Sequence, residues 1–365
     1  MLEARLMNLQ KDYVALGINP DKIEKWEDSR RNQDTSAGNW EWWYFDSILD
    51  DGTKVVLQFF TKAGMKNIQK NGDVPSVTIK ITTSNGKLYE DEAVPNREDC
   101  YYGTDKCDVH LGECSFVGDF QEYEIYAKGK KGIAANLKLI SRAKPYRPET
   151  GYFGFEDGEF YTWLCAVPQG EVTGTLTFGG KTINVHGSGY HDHQWGNRFY
   201  LPEWNNWLWA RQSFGDYSVL TFDFIASKEA GYKRFPILFI QNRNGEIVFE
   251  NTEHVKCRIE EMTPTDPASK KQYPKVICYE FDSDGKHVTY KLESSEILEA
   301  KGFKNIPIIG NIIIKKIGMN LSYMRFHGKG TLSFQNGDEM VERSGSLIYE
   351  FMYPGDNCKK LMEIK

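Results

Sequence analysis

The second half of this chain repeats the first, and that repeat constrains what its 365 residues can fold into more sharply than any other feature. Asn39-Trp40-Glu41-Trp42-Trp43 returns as Asn206-Trp207-Leu208-Trp209-Ala210. In each copy a turn and an apolar run follow: Val55-Val56-Leu57-Gln58-Phe59 in the first, Val219-Leu220-Thr221-Phe222-Asp223 in the second. The copies also close alike, since Gly174-Thr175-Leu176-Thr177-Phe178 matches Gly330-Thr331-Leu332-Ser333-Phe334, and the run from Gly187 to Asp192 matches that from Gly345 to Glu350. Self-similarity of this kind means one structural unit built twice. It agrees with the length of the chain, because single domains cluster near roughly 100 to 150 residues.

Inside each copy the period of the pattern is two. Residues 54–61, 77–83, 123–127, 134–141 and 173–178 read as strands, separated in several places by turn pairs such as Asp51-Gly52, Asn85-Gly86 and Gly179-Gly180. The 14% aromatic content favours the same structure. A copy of roughly 150 residues holds about eight strands of ordinary length. Eight antiparallel strands closed on themselves leave an interior that side chains nearly fill or that holds one small ligand. The sequence therefore predicts an all-β chain of two tandem antiparallel β-barrels, residues 35–200 and 201–365. Ahead of them Leu2, Leu6, Leu9, Tyr13 and Leu16 recur at three- and four-residue steps until Gly17 and Pro20 stop the pattern. That spacing predicts a short amphipathic N-terminal helix, followed by a polar linker through Asp34, which together make up residues 1–34.

The duplication locates the chemistry by difference. Where the first copy has Tyr190, His191 and Asp192, the second has Ile348, Tyr349 and Glu350, and only the first continues into His193-Gln194-Trp195-Gly196. Along a strand alternate side chains share a face, so Tyr190 and Asp192 point one way and His191 and His193 the other. Gly187 and Gly189 can host a bulge that resets this parity, which leaves the inward pair open. A carboxyl group buried among aromatic rings has its charged form disfavoured and holds a proton near neutrality. Asp192 is thus a candidate acid, with Tyr190, His191 and His193 as further catalytic candidates. Proton delivery to a carbon–carbon double bond makes a cation that the faces of Trp42, Trp163 and Tyr190 can stabilise. Tyr44 and Trp195, with Trp209 of the echoed motif, are the other aromatic candidates for a substrate wall. Glu41 is either a second carboxylate of the site or the partner of an arginine such as Arg211.

Other chemistries fit less well. His186, His191 and His193 offer metal-type donors, but the carboxylate that usually completes a His-x-His site is missing from Gln194 to Arg198. Cys100, Cys107 and Cys114, with His110 among them, are spaced too widely for a zinc knuckle and read as core or loop thiols. The sequence thus predicts no metal and no cofactor. The net charge of −6 is mixed along the chain, which offers no basic stripe for nucleic acid. Seven cysteines without a Cys-x-x-Cys pair, and an N-terminus without an apolar signal core, predict a cytoplasmic protein. The apolar stretch 303–321, from Phe303 to Leu321, is broken by Pro307, Gly310, Asn311, Lys315 and Lys316 and is not a spanning helix. It reads as buried core or as a greasy lid that touches substrate or a membrane surface.

Taken together, Glu41-Trp42-Trp43-Tyr44, the run Gly189-Tyr190-His191-Asp192-His193-Gln194-Trp195-Gly196 and the Trp207-x-Trp209 echo resemble a known family from about Gly38 to Gly355. This is the lipocalin-like superfamily of carotenoid 1,2-hydratase, kievitone hydratase, fungal Diels–Alderases and AttH-like proteins. The resemblance implies lipocalin-like barrels, an apolar unsaturated small-molecule substrate and no required cofactor. By motif it assigns Asp192 as proton donor, Tyr190 beside it and Trp163 upstream. His193-Gln194-Trp195-Gly196 departs from the carotenoid hydratases and points away from a carotenoid. The expected function is a cofactor-independent hydratase or dehydratase of a terpenoid or phenolic alkene. An isomerase or pericyclase acting on a polyene, and a non-catalytic lipid carrier or sensor, are the alternatives.

Overall fold

A computed structural model describes residues 3–199, 201–267, 269–283, 285–302 and 322–363. The chain divides into two compact units, Arg5–Phe199 and Tyr200–Lys365 with the first four residues. Each is one curled antiparallel sheet, and the two have the same centre. In the first, Trp40–Leu49 lies between Lys54–Phe60 and Lys181–Gly196, and the latter pairs on with Phe160–Phe178. In the second, Trp204–Ser213 lies between Tyr217–Ala226 and Glu339–Met352, which pairs on with Ser322–Asn336. The opening and closing motifs of each repeat are thus neighbouring strands. The fold is all-β with lipocalin-like barrels, as the repeat predicts.

The predicted strands appear as Lys54–Phe60, Ser76–Thr82, Glu122–Lys128 and Ala134–Ser141, and the fifth is the end of Phe160–Phe178. The longest hairpin of the first unit turns on Gly179 and Gly180, whose φ angles of 56° and 76° lie where only glycine is unstrained. The first sheet curls until the edge strand Leu88–Ala93 meets the Glu122–Lys128 hairpin. There Asp91 Oδ2 accepts the backbone N–H of Lys131 at 2.8 Å and of Ile133 at 3.2 Å. In the second unit Asn251 Nδ2, on the edge strand Ile247–Asn251, donates to the Asp282 carbonyl of Pro274–Ser283 at 2.9 Å. Alternate residues of each strand face inward: Trp43, Phe45, Val55, Leu57, Phe59, Phe116 and Tyr123 pack inside the first barrel. Leu208, Ala210, Tyr279, Phe326, Tyr349 and Phe351 do so in the second.

The N-terminal segment departs from the sequence reading. The helix covers only Gln10–Leu16, closed by Gly17 at φ 66°. Ala4–Leu6 is instead a short strand against Tyr152–Phe155, and Leu9, expected on the apolar face, is 49% exposed. The polar linker that follows is buried in part. Glu27, Asp28, Ser29, Arg30 and Asn32 are all buried, and a 3-10 turn at Lys25–Asp28 seats the chain on the barrel end. Trp43 Nε1 donates to the Asp28 carbonyl at 3.0 Å, and Arg147 pairs with Glu27 at 2.7 Å. A polar sequence can be buried when its groups find partners, and hydropathy does not report that. Among the described residues no helix is long and apolar enough to cross a membrane. The stretch 303–321, read as core or lid, lies outside the described residues.

Candidate functional site

The strand Lys181–Gly196 has different chemistry on its two faces. Asp192 lies opposite Tyr44, Gln194 opposite Trp42 and Tyr190 opposite Asp46, whereas His193 lies opposite Trp43 and His191 opposite Phe45. Since Trp43 and Phe45 are interior residues, the two histidines enter the barrel and Tyr190, Asp192 and Gln194 occupy its outer face. The expected bulge is present but not at Gly187 or Gly189. The register shifts lie in the partner strand Phe160–Phe178, between Leu164 and Val167 and between Val167 and Gly170, opposite Asp192 and Tyr190. The two glycines serve close approach instead: a Cβ at Gly187 would lie 2.4 Å from the Ile48 carbonyl oxygen.

On the outer face Asp192 is 3% exposed, and Tyr190 and Trp163 are fully buried. Three donors converge on its carboxyl group. Tyr190 O–H and Trp163 Nε1–H reach Oδ2 at 2.8 and 3.2 Å, and Gln194 Nε2–H reaches Oδ1 at 2.9 Å. Tyr161 O–H in turn donates to Gln194 Oε1 and fixes which way the amide points. Burial pushes the Asp192 carboxyl up to about 6, even though Gln194, Tyr190, Trp163 and the nearby His191 all favour its charged form. Trp163 and Gln194 can only donate through these atoms, whereas a hydroxyl can donate or accept. When Asp192 takes up a proton, Tyr190 is therefore the neighbour that can accept a hydrogen bond from it without changing its place. Tyr44 stands edge-on to Tyr190 at 6.2 Å, and Tyr146 edge-on to Trp163 at 6.2 Å. Trp42 stacks on Trp40 at 4.3 Å.

The inner face holds a different group. His193 is sandwiched between Trp43 and Trp195, both at 4.6 Å, and its Nε2 lies 2.8 Å from Glu41 Oε1. His191 packs against Phe116 and Tyr123, with Nδ1 2.8 Å from the Tyr44 carbonyl and Nε2 3.2 Å from Asp28 Oδ2. Burial alone would lower the His191 pKa, but the adjacent Asp28 carboxylate outweighs it and the pKa is raised. Asp28 also accepts Tyr123 O–H at 2.6 Å. Glu41 pairs with Arg30 at 3.4 Å and with the backbone N–H groups of Arg31 and Asn32. Its arginine is therefore Arg30 of the N-terminal segment and not Arg211. In the second unit the echoed positions are Leu208, Tyr349 and Phe351, so the apolar core replaces this polar group.

Of the candidate residues, Tyr190, Asp192, Trp163, Trp42 and Tyr44 come together on one face, and His191, His193, Glu41 and Trp195 on the other. Trp209 and Arg211 belong to the second unit, on the side of their strand opposite the core residues Leu208 and Ala210. His186 does not join the other histidines. It is exposed and pairs with Asp50 at 2.6 Å. His110 pairs with Asp108 on the surface, while Cys107 and Cys114 enter the core. Among the described residues, the donor set that could hold a metal is Asp28, Cys107 and His191, all buried, with one donor atom from each within 4.8 Å of the others. Sequence reading missed Asp28 because it lies 163 residues from His191 in a polar stretch, and Gln194 and Tyr161 because only their mutual position gives them a role.

Residues 30–295 match a protein family described as AttH-like. Over 226 residues the chain is 30% identical to the quinolone epoxide rearrangement protein penF of Penicillium thymicola, a match that takes in 58% of this chain. The chain spans 61% of the length of that curated relative. A crystal structure of CghA superposes with a TM-score of 0.62 at 16% identity, covering 88% of this chain and 89% of the other. Kievitone hydratase from Nectria haematococca does so with a TM-score of 0.52 at 14% identity, covering 88% and 91%.

Proposed function

The chain belongs to the AttH-like family, and from that premise we propose that it is a cofactor-independent enzyme using Asp192 as a general acid on an apolar, unsaturated small molecule. The observation that carries the reading is a buried carboxyl group held near 6, with an aromatic wall beside it and a reversible hydroxyl partner in Tyr190. A carboxyl with that value is protonated in a useful fraction of molecules near neutral pH, which is where a general acid works best.

In the hydratase form of the reaction, the Asp192 proton adds to one alkene carbon and leaves a cation at the other. The Trp163 and Tyr190 rings stabilise that cation through their faces. A water molecule then bonds to the cationic carbon and returns a proton to the Asp192 carboxylate. Dehydration is the same path reversed. Trp163, Gln194 and, through Gln194, Tyr161 hold the carboxyl group in place throughout. The substrate lies against the Tyr190–Asp192 face of the sheet, with Trp42 and Tyr44 as further aromatic neighbours. Seven free cysteines support the cytoplasmic placement.

A rearrangement is the second reading, favoured by the relative that acts on a quinolone epoxide. The same proton opens an epoxide to a hydroxylated cation, which rearranges and returns a proton to the Asp192 carboxylate with no net gain of water. One experiment separates the two. The purified chain and Asp192→Asn are incubated with prenylated phenols, terpenoid alkenes and aryl epoxides in oxygen-18-labelled water, and products are weighed by mass spectrometry. Hydration gives a product heavier by one labelled water, and rearrangement gives one of unchanged mass. Either product should fall at least a hundredfold in Asp192→Asn, about what general acid catalysis contributes. Full turnover by that variant refutes the acid assignment.

A further inference from the structure

The inner face of the same strand carries a second inference, independent of the reaction proposed for Asp192. We propose that the first barrel binds one divalent cation of the zinc class, held by the Asp28 carboxylate, His191 Nε2 and Cys107 Sγ, with His193 Nδ1 facing the same carboxylate. The argument begins with hydrogen positions. His191 Nδ1 faces the Tyr44 carbonyl at 2.8 Å, and a carbonyl only accepts, so the ring hydrogen is on Nδ1. By the same reasoning Glu41, 2.8 Å from His193 Nε2, places that ring's hydrogen on Nε2.

In the neutral form of each ring the other nitrogen presents a lone pair, and the carboxylate beside it draws a positive charge, a proton or a metal ion, to that place. Both point at the oxygens of a single carboxylate, His191 Nε2 at Asp28 Oδ2 (3.2 Å) and His193 Nδ1 at Asp28 Oδ1 (3.4 Å). Lone pairs facing carboxylate oxygens repel unless something positive lies between them. Asp28 Oδ1 and His193 Nδ1 are fully buried and have no hydrogen-bond partner among the described residues. The nearby guanidinium does not help, because Arg30 is committed to Asp73 by bonds of 2.9 and 3.1 Å and leans toward Glu41.

The chemistry of the surroundings matches a metal centre. Histidines that ligate a metal give their second N–H to a backbone carbonyl or a carboxylate, the roles of Tyr44 and Glu41 here. Tyr123 O–H holds the carboxylate, and aromatic rings clamp both imidazoles. One oxygen, one nitrogen and one sulfur fill three positions of a tetrahedral zinc set, whose donors lie about 3.3 to 3.7 Å apart at bond lengths near 2.0 to 2.3 Å. The 3.2 Å between His191 Nε2 and Asp28 Oδ2 already agrees with that. Cys107, within 4.8 Å of Asp28 and His191 and now donating to the Phe116 carbonyl, closes by up to about an ångström. Three protein donors leave the fourth position open to water.

The test uses the full chain, stripped with a chelator and titrated with cobalt(II) and with zinc. One equivalent of cobalt should bind and give a thiolate-to-cobalt absorption band, and Cys107→Ser should lose that band. Zinc in hundredfold excess over its dissociation constant should raise the melting temperature by about 5 °C or more. His186→Asn, which alters only a surface histidine, should change neither result. The proposal is overturned if the stripped, folded chain takes up neither metal, or if binding is lost in His186→Asn. It is also overturned if nitrogen-15 spectra show His191 doubly protonated and unaffected by zinc, in which case a proton occupies the place assigned to the metal.

Discussion

Asp192→Asn tests the electrostatics of the outer face without any knowledge of the substrate. In the folded chain the Asp192 carboxyl is raised from its ordinary 3.8 to about 6 by burial. Ionising it inside the protein therefore costs about 3 kcal/mol more than in the unfolded chain, at about 1.4 kcal/mol per pH unit. Because the folded value lies above the unfolded one, the stability this group contributes is fully present below 3.8 and is lost as pH rises through about 6. Asparagine cannot ionise, so the variant lacks this pH dependence. Its altered hydrogen bonds to Trp163 and Gln194 add an offset that is the same at every pH.

At pH 5, one unit below the folded value, about 1.4 kcal/mol of the effect remains, and at pH 8 almost none. Wild type should therefore gain about 1.4 kcal/mol on the variant between pH 8 and pH 5. The assay is urea unfolding read by hydrogen exchange of peptides from residues 181–196, which reports on the unit that carries Asp192 by itself. A stability gap that stays constant within about 0.3 kcal/mol over that range means that Asp192 is not raised, and the acid assignment loses its basis.

Two further substitutions examine the shells around the two faces. Trp163→Phe keeps the ring but removes a donor that favours the ionised carboxylate, a bond worth about 1.5–3 kcal/mol. The Asp192 titration followed by carbon-13 NMR should move upward by about 1–2 pH units, and a downward shift would contradict the geometry. Arg30→Met leaves Asp73 and Glu41 without their buried guanidinium and should destabilise the first unit by about 3–5 kcal/mol in chemical unfolding. A loss under 1 kcal/mol would show that these carboxylates are relieved by other means.

Much of the fold is legible in the sequence. The strand periods, the Gly179-Gly180 turn and the paired motifs of each repeat are local signals, and local signals survive in a linear pattern. The helix was overextended because Leu2, Leu6 and Leu9 follow the right spacing while a short strand pairing with Tyr152–Phe155 competes for the same residues. Tertiary pairing of that kind overrides a pattern worth only a few tenths of a kcal/mol per residue.

The candidate site divides along the same line. The alternation of a strand decided from sequence alone that Tyr190 and Asp192 oppose His191 and His193, because neighbouring side chains on a pleated backbone must point apart. Which pair enters the barrel depended on register with Trp43 and Phe45, and on bulges in a strand that no motif marks. Asp28 shows the difference most clearly: a carboxylate in a polar stretch becomes the partner of two histidines far along the chain, because the closing of a barrel sets their distance and composition carries no trace of it.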